Sequence, residues 1–226
     1  MPPTRSIAVR AACAGLASVL SLAAVGCSSG STSSTGSSAS SAGSAATDSP
    51  TSAPAAATPS ASGFDGAAIP PGAPARDFTL SDQRGARVSL SSTRGKVTIL
   101  AFPYSTCGDA CVVIAEQIRG ALDELAKPVP VLLVSADPQA DTPARVRRFL
   151  ARTSLTGRVQ YLTGSLAQLQ PIWRSFRVVP ASAGKAAFDD SASVFLLDRD
   201  GRERVIFQLE QLTPEALAHD VRKLLE

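Results

Sequence analysis

The sequence predicts an α/β domain built on a central sheet of mixed strand direction, and three features support this prediction. An apolar strand segment is followed by a helical pattern and a second apolar strand. Further along the chain, a turn signal joins two more strands into a hairpin. An amphipathic helix ends the chain. Because strand–helix–strand units give parallel strands and hairpins give antiparallel ones, the sheet should contain both directions.

Only part of the 226 residues can build this domain. In residues 28–63, 35 of the 36 positions are Ser, Thr, Ala, Gly or Pro, and Asp48 is the exception. Such a composition buries too little apolar surface to offset its ordering entropy, so we expect a flexible tether over residues 27–63. Residues 64–226 remain, which is enough for one compact domain.

The segment before the tether, residues 1–26, has the features of an export signal. Arg5 and Arg10 precede sixteen residues without charge, 11–26. This run is too short for a comfortable membrane span, which needs about 20 residues. The run stops before Cys27 and there resembles a bacterial lipoprotein signal, in which the cysteine after the cleavage site receives lipid. This resemblance implies a lipid anchor at the extracytoplasmic face of the cell membrane. Ordinary secretion with an incidental cysteine is the alternative.

The predicted domain begins with a strand pair and a buried strand. Residues 78–80 and 88–90 flank a polar turn that contains glycine, which is typical of two antiparallel strands. Residues 97–102 are almost continuously apolar, as expected for a central strand buried on both faces. Apolar residues then recur at helical spacing over residues 114–125, and Pro128 ends this helix.

The middle of the domain repeats the alternation of strand and helix. Residues 129–134 form the next apolar strand, and Thr142 is the expected cap of the helix that follows. Residues 159–163 form a short strand. Residues 165–176 have a helical pattern that Pro171 should interrupt.

The end of the domain combines a hairpin with a helix. Residues 194–197 and 205–209 are two strands, and residues 199–201 carry the turn signal between them. Thr213 caps the last helix, whose apolar residues lie on one side. His219 points away from that side, so we expect a solvated surface histidine.

Charge and composition exclude several classes of function. The net charge of +3 falls to +1 when Arg5 and Arg10 leave with the export signal, so no basic surface for nucleic acid is predicted. The chain has four cysteines and one histidine. These numbers exclude most His-rich metal enzymes and any fold held by a framework of disulfides.

Cys107 and Cys111 are the only cysteines of the predicted domain, and they lie where the central strand ends and a helix begins. Cys111 shares the inward helix face of Ile114, whereas Cys107 lies one turn earlier and should be the more exposed thiol. A helix N-terminus favours the thiolate form. Cys107 is therefore placed to attack and Cys111 to resolve.

Several states of this pair are compatible with its spacing. Residues one helical turn apart come near the Cα separation of a disulfide, about 4.4–6.8 Å, and also present two soft sulfurs to one metal ion. In an oxidising compartment, oxidised, metal-bound or redox-cycling thiols are all better interpretations than inert buried ones. A structural zinc site is excluded because it needs four ligands.

The domain also carries a series of short segments in a specific order over about residues 74–226. They are 77–80 (Asp-Phe-Thr-Leu), 94–97 (Arg-Gly-Lys-Val), 102–111 with its CxxxC motif, 134–138, 141–143, 161–164 and 197–201. In this order and spacing the chain resembles the Sco/SenC family of copper proteins, which help to assemble cytochrome c oxidase. The resemblance implies a thioredoxin-like fold with a central mixed sheet flanked by helices and an N-terminal strand pair. It also implies that Cys107 and Cys111 bind copper and form a reversible disulfide.

The sequence departs from the family pattern at two positions. Val112 stands where the family has a proline after the second cysteine, and Asp190 stands where the family has its third copper ligand, a histidine. Cu(I) prefers sulfur and imidazole donors, so a carboxylate should weaken Cu(I) binding most and affect Cu(II) less. Asp190 is a candidate metal ligand, and an exposed carboxylate in a turn is the alternative.

These observations lead to three hypotheses about function. The first is an assembly factor that binds copper through Cys107 and Cys111 and passes it to the copper subunit of a respiratory oxidase. The second is a copper-independent thiol–disulfide oxidoreductase that acts on exported thiol proteins, with Cys107 as nucleophile. Two features count against this second hypothesis. The CxxxC spacing and the lack of a proline just before Val194 distinguish the chain from general thioredoxin-like reductases. The third is an anchored binding protein with a stable disulfide.

Overall fold

The structure is a computed structural model that describes residues 62–72 and 74–226. The predicted export signal, Cys27 and nearly all of the predicted tether lie outside the described residues. Within the described ranges, no helix has the length and apolar character needed to cross a membrane.

A six-stranded mixed sheet forms the centre of the fold, and a separate two-stranded antiparallel hairpin lies beside it. The six strands are β1 (Ala67–Ala68), β4 (Thr98–Ala101), β5 (Val131–Val134), β6 (Gln160–Leu162), β7 (Ser193–Leu197) and β8 (Glu203–Gln208). Their order across the sheet is β1-β8-β7-β4-β5-β6. Strand β4 pairs parallel with β5 and antiparallel with β7, so the predicted mixture of directions is confirmed. The hairpin consists of β2 (Thr79–Ser81) and β3 (Arg87–Ser89) and corresponds to the predicted strand pair.

In residues 62–72 and 74–226, five α-helices surround the sheet, and three of them begin at a side-chain cap. They are α1 (Asp109–Glu124), α2 (Pro143–Arg152), α3 (Leu166–Ser175), α4 (Lys185–Ser191) and α5 (Pro214–Leu225). The hydroxyl of Thr142 accepts a hydrogen bond from the backbone N–H of Arg145, and that of Thr213 accepts one from Ala216. Both predicted caps are therefore confirmed, and each satisfies a backbone donor that the helix leaves free.

The core has two layers because successive residues of the central strand point to opposite faces of the sheet. Ile99 belongs to the layer that contains α1, α2 and α5, whereas Leu100 belongs to the layer that contains α3 and the hairpin. All four residues of β4 are buried. Both cysteines lie in the first layer.

The structure differs from the sequence-based expectation at three elements. Pro171 lies inside α3 without interrupting it. A reciprocal capping box between Ser165 and Gln168 fixes the first turn, and burial of Leu169, Ile172 and Trp173 holds the helix on the sheet despite the missing donor. Strand β1 and helix α4 were not predicted, since two alanines and a seven-residue segment give too short a pattern to recognise.

Candidate metal and redox site

The CxxxC turn connects the carboxyl end of the central strand β4 to helix α1. Gly108 is the residue before the helix, and Asp109 is its first residue and is exposed. The backbone N–H of Cys107 donates to the carbonyl of Tyr104 over 3.1 Å, which closes a turn just before the helix. Cys111 lies in the first helical turn and faces the core. The two sulfurs thus meet at the positive end of the helix dipole.

Cys107 and Cys111 are joined by a disulfide with a Cα–Cα distance of 5.7 Å. Both side chains are buried, with 5% of Cys107 and none of Cys111 exposed. Cys107 is the more accessible of the two, as its place before the helix predicts, although little of it is exposed. The packing of neighbouring segments over the turn accounts for the burial of both.

A buried carboxylate, Asp141, holds the start of the turn in place. Its oxygens accept hydrogen bonds from the backbone N–H of Ser105 (2.6 Å), the hydroxyl of Ser135 (2.5 Å) and the hydroxyl of Tyr161 (2.7 Å). Burial, followed by the charge of Asp141, holds the pKa of Tyr161 well above its usual range. The sequence identified Asp141 only as part of a helix start. Three charge-assisted hydrogen bonds make it the link between the turn and strands β5 and β6.

Helix α4 covers the other side of the turn. The ring of Phe188 meets that of Tyr104 edge to face, with 4.9 Å between the ring centres. The Cε atom of Lys185 lies 3.5 Å from the point that a Cβ on Gly108 would occupy. Lys185 also forms an ion pair with Asp189, one turn along the helix. An apolar contact and a charged pair thus lie beside the cysteines.

The two adjacent aspartates of α4 differ in their surroundings. Asp190 is exposed, and its side chain makes no hydrogen bond or ion pair within the described part of the chain. Asp189 is only 27% exposed, and its Oδ1 atom is buried without a hydrogen-bond partner. Partial burial, followed by the charge of Asp189, raises the pKa of Tyr104. Asp189 is therefore the carboxylate that pairs with Lys185 and acts on Tyr104, whereas the candidate ligand Asp190 is exposed.

An aspartate in a turn and a buried tryptophan lie on the side of α3. Asp137 accepts hydrogen bonds from the backbone N–H groups of Gln139 and Ala140, each over 3.1 Å, as a turn residue does. Trp173 is buried and donates from Nε1 to the carbonyl of Ser135 over 2.9 Å. Both residues line a groove of about 560 Å³ next to the end of β5.

His219 belongs to a different cluster. Its Nδ1 atom lies 2.9 Å from Oδ1 of Asp220 and 3.2 Å from Oδ2 of Asp65. Among the described residues, these three form the only group of His, Cys, Asp or Glu side chains whose ligand atoms lie within 4.8 Å of one another. Asp220 is fully buried and accepts the backbone N–H groups of Asp65 and Gly66. His219 is half exposed, as predicted, but it takes part in a clamp between α5 and the start of the domain.

Cys107 and Cys111 are therefore together, while neither Asp189 nor Asp190 joins them in a group of described side chains whose ligand atoms lie within 4.8 Å of one another. The sequence identified the pair from its spacing and its place before a helix. It missed Asp189, because two adjacent aspartates look alike until the direction of the helix face is known. It also missed Lys185, for which no pattern in the sequence was available.

Comparison with known proteins places these features in a family. The sequence profile described as SCO1/SenC matches residues 67–226, which is more than two thirds of the chain. A bovine (Bos taurus) mitochondrial protein named SCO2 homolog is 30% identical over 135 residues, or 55% of this chain and 50% of that protein. The chain spans about half the length of the first curated relatives that it matches.

Solved structures match over a similar part of the chain. ScoI of Bradyrhizobium japonicum, solved with copper bound, is 31% identical, has a TM-score of 0.51, and covers 67% of this chain and 99% of its own. BsSco, described as a member of the Sco family of cytochrome c oxidase assembly proteins with a disulfide switch, is 23% identical with a TM-score of 0.58, covering 70% and 96%.

The fold is thioredoxin-like. The thioredoxin domain of a thiol–disulfide oxidoreductase from Bacteroides vulgatus matches with a TM-score of 0.54 at 16% identity, covering 70% of this chain and 99% of that domain. A likeness at this identity concerns the fold alone, whereas the family profile covers the CxxxC turn, the Asp141 segment and helix α4 together. The chain belongs to the SCO1/SenC family.

Proposed function

We propose that this chain receives copper on Cys107 and Cys111 and assists the assembly of a copper centre in a respiratory oxidase. The observation that carries the proposal is the sulfur pair at the end of the central strand, with a Cα–Cα distance of 5.7 Å. Cu(I) prefers thiolate donors, and the sulfurs of Cys107 and Cys111 are near enough to each other to bind one ion together. Copper is the cargo in this proposal. The copper-bound structure of the Bradyrhizobium protein supports it.

Copper loading on this pair requires reduction of the disulfide. Two electrons and two protons convert Cys107–Cys111 to the dithiol, and the thiols lose their protons when the metal binds. The helix dipole of α1 favours the thiolate forms because the sulfurs lie at its N-terminus. An external reductant therefore decides whether the chain can take up copper.

The proposal places the domain outside the cytoplasmic membrane, attached through lipid on Cys27. Its support is the export signal predicted over residues 1–26 and the composition of residues 27–63, which would let the domain reach a membrane-bound oxidase subunit. Replacement of Cys27 by Ser should move the protein from the membrane fraction to the soluble exported fraction. If the C27S protein stays with the membrane, the lipid anchor is wrong.

The experiment that tests the assembly role is complementation of cells that lack this chain. Wild type should restore the copper content and the absorption spectrum of the oxidase, whereas the Cys107→Ser and Cys111→Ser variants should not. Immunoblots must show equal amounts of each protein. Restoration by either serine variant would contradict the proposal.

A thiol–disulfide oxidoreductase is the second candidate, and the formed disulfide together with the exposure of Asp190 favours it. In its reductive direction the Cys107 thiolate attacks a partner disulfide and releases one partner thiolate. The Cys111 thiolate then attacks the mixed disulfide, which releases the second partner thiolate and leaves Cys107–Cys111 oxidised. Cys111→Ser should trap the mixed disulfide, visible on non-reducing gels. Absence of any trapped species would count against this candidate.

A further inference from the structure

The cluster of Asp65, His219 and Asp220 has the side chains and the spacing of a metal site. Nδ1 of His219 lies 2.9 Å from Oδ1 of Asp220 and 3.2 Å from Oδ2 of Asp65. Two atoms that each bind one Zn(II) at about 2.0–2.1 Å in a tetrahedral arrangement are about 3.3 Å apart. One nitrogen and two carboxylate oxygens, all within 4.8 Å of one another, can therefore bind the same ion.

The protein already holds one of these groups, Asp220, in a fixed orientation. Its side chain is fully buried, and each of its oxygens accepts one backbone N–H. Oδ1 accepts that of Asp65 over 2.9 Å, and Oδ2 accepts that of Gly66 over 3.0 Å. Because a carboxylate oxygen has two lone pairs, Oδ1 keeps one of them for a cation. Hydrogen bonds of this kind orient the ligands of metal sites.

The charges of the cluster also favour a cation. Among the described residues, His219 is the only ion-pair partner of Asp65 and of Asp220. A histidine brings at most one positive charge to the two carboxylates, and a neutral histidine brings none. Since a buried carboxylate is stable only with a good partner, a divalent ion would compensate both groups at once.

We propose that Asp65, His219 and Asp220 form a site for a divalent transition-metal ion and that Zn(II) is the ion they fit best. Zinc binds imidazole and carboxylate together, whereas Ca(II) and Mg(II) take oxygen ligands. The side chains of Asp65 and His219 are 52% and 51% exposed. The ion can therefore enter from solvent, and water can complete its coordination. The site is independent of the copper function proposed for Cys107 and Cys111.

The bound ion would fasten the first residues of the domain to its last helix. Asp65 lies 155 residues before Asp220 in the chain, so the two carboxylates come together only in the folded protein. Strand β1, which follows Asp65, is a two-residue strand at the edge of the sheet. An ion that binds only the folded chain stabilises it by mass action. Zinc would thus hold the junction between the predicted tether and the domain.

A zinc titration of the full-length chain tests the proposal. The Cys107–Cys111 disulfide is kept intact and other thiols are blocked with N-ethylmaleimide, so that thiolates do not compete for the ion. His219 is the only histidine in the sequence, so its ring gives one set of NMR signals. These signals should shift until about one Zn(II) is bound per chain, and Tm should rise with the zinc concentration. Unchanged imidazole signals would overturn the proposal.

Matched variants test the assignment of the ligands. Asp65→Asn and His219→Gln each remove one donor from a half-exposed position, and circular dichroism without zinc confirms that both variants fold. Each should lower the zinc affinity, measured by calorimetry, by at least about tenfold. Glu215→Gln removes an exposed carboxylate from the same helix and should bind zinc as wild type does. Equal affinity in D65N and wild type, or an equal loss in E215Q, would show only general attraction by charge and would overturn the assignment.

Two further measurements test the choice of ion and its role. An excess of Ca(II) should leave the His219 signals in place, and a shift like that caused by zinc would mean that the site does not select a transition metal. Saturating zinc should slow hydrogen exchange at the amides of Asp65 and Gly66 in wild type but not in H219Q. Unchanged exchange at both amides in zinc-saturated wild type would contradict the fastening role.

Discussion

Asp141 is the residue that connects the cysteine turn to the rest of the fold. Its carboxylate accepts three hydrogen bonds from buried groups, one of them the backbone N–H of Ser105. An acceptor that serves several donors at once cannot be replaced by water in a buried site. The orientation of the segment before Cys107 therefore depends on this single side chain.

Asp141→Asn should lower the free energy of unfolding by about 2–4 kcal/mol. The amide nitrogen that replaces one carboxylate oxygen is itself a donor, so at least one of the buried donors around it loses its acceptor. Urea denaturation of the oxidised chain measures this change. The loosened turn should also let dithiothreitol reduce Cys107–Cys111 faster than in wild type. Tyr161→Phe removes one of the three donors and should cost about 1 kcal/mol, so it serves as the milder control. An unchanged unfolding curve for D141N would contradict the role given to Asp141.

The buried hydroxyl of Tyr161 makes stability depend on pH in the alkaline range. Its pKa is raised in the folded chain, first by burial and then by Asp141, while an unfolded tyrosine titrates near about 10. Below pH of about 10 the tyrosine is protonated in both states, and the stabilisation is complete. Above it the unfolded chain releases the proton first, so stability falls as the pH rises towards the folded pKa.

Thermal unfolding between about pH 8 and pH 11.5 tests this dependence. Wild type should lose Tm more steeply above about pH 10 than Tyr161→Phe does, because the variant lacks the linked proton. Tyr104 remains in both proteins and contributes equally to them. Parallel curves for the two proteins would show that Tyr161 does not titrate in this way.

At the scale of elements, the packing of α1 against α5 depends on a glycine. A Cβ on Gly120 would lie 2.8 Å from ring atoms of Pro214, the first residue of α5. The missing side chain therefore lets the two helices approach closely. Helix propensity alone would favour alanine at this position, since alanine stabilises a helix interior by about 1 kcal/mol relative to glycine.

Gly120→Ala should thus be destabilising by about 1–3 kcal/mol in spite of its better propensity, because overpacking displaces Pro214. Chemical denaturation measures the difference. Glu116→Ala, at an exposed position of the same helix, should be neutral or slightly stabilising. A gain in stability for G120A would mean that α5 moves aside at little cost.

Elements with a long pattern were predictable from the sequence, and short ones were not. The strands around residues 97–102 and 129–134 appear as β4 and β5, because a continuous apolar run implies burial on both faces. Helix α4 contains two alanines and three charged residues and carries no recognisable periodicity. Its position is determined by the contact of Phe188 with Tyr104, which depends on the tertiary fold.

The same distinction applies to the candidate site. Cys107 and Cys111 could be recognised because their spacing and their place before a helix are local features of the chain. The direction of Asp189 and the hydrogen bonds of Asp141 connect segments that are distant in sequence. Such contacts exist only after folding, so residue patterns alone could not reveal them.

At the scale of the whole molecule, Asp220 fastens the beginning of the domain to its last helix. It is fully buried and accepts the backbone N–H groups of Asp65 and Gly66, just before β1 joins the edge of the sheet. Asp220→Asn should lower the unfolding free energy by about 2–4 kcal/mol, since the amide leaves a backbone donor unpaired.

Hydrogen exchange at Asp65 and Gly66 reports on this clamp directly. Both amides should lose protection in D220N, whereas amides in β4 should remain protected until global unfolding. His219→Gln keeps the buried carboxylate and should have the smaller effect. Protected amides at both positions in D220N would show that β1 alone holds the segment.

The central claim is that the reduced pair Cys107 and Cys111 holds copper, and a Cu(I) titration of the full-length chain against a competing chelator tests it most directly. The account predicts that the reduced chain takes up about one Cu(I), while the oxidised chain and the Cys107→Ser and Cys111→Ser variants do not compete with the chelator. Uptake of Cu(I) by the oxidised chain, or by either serine variant at wild-type affinity, would contradict the account.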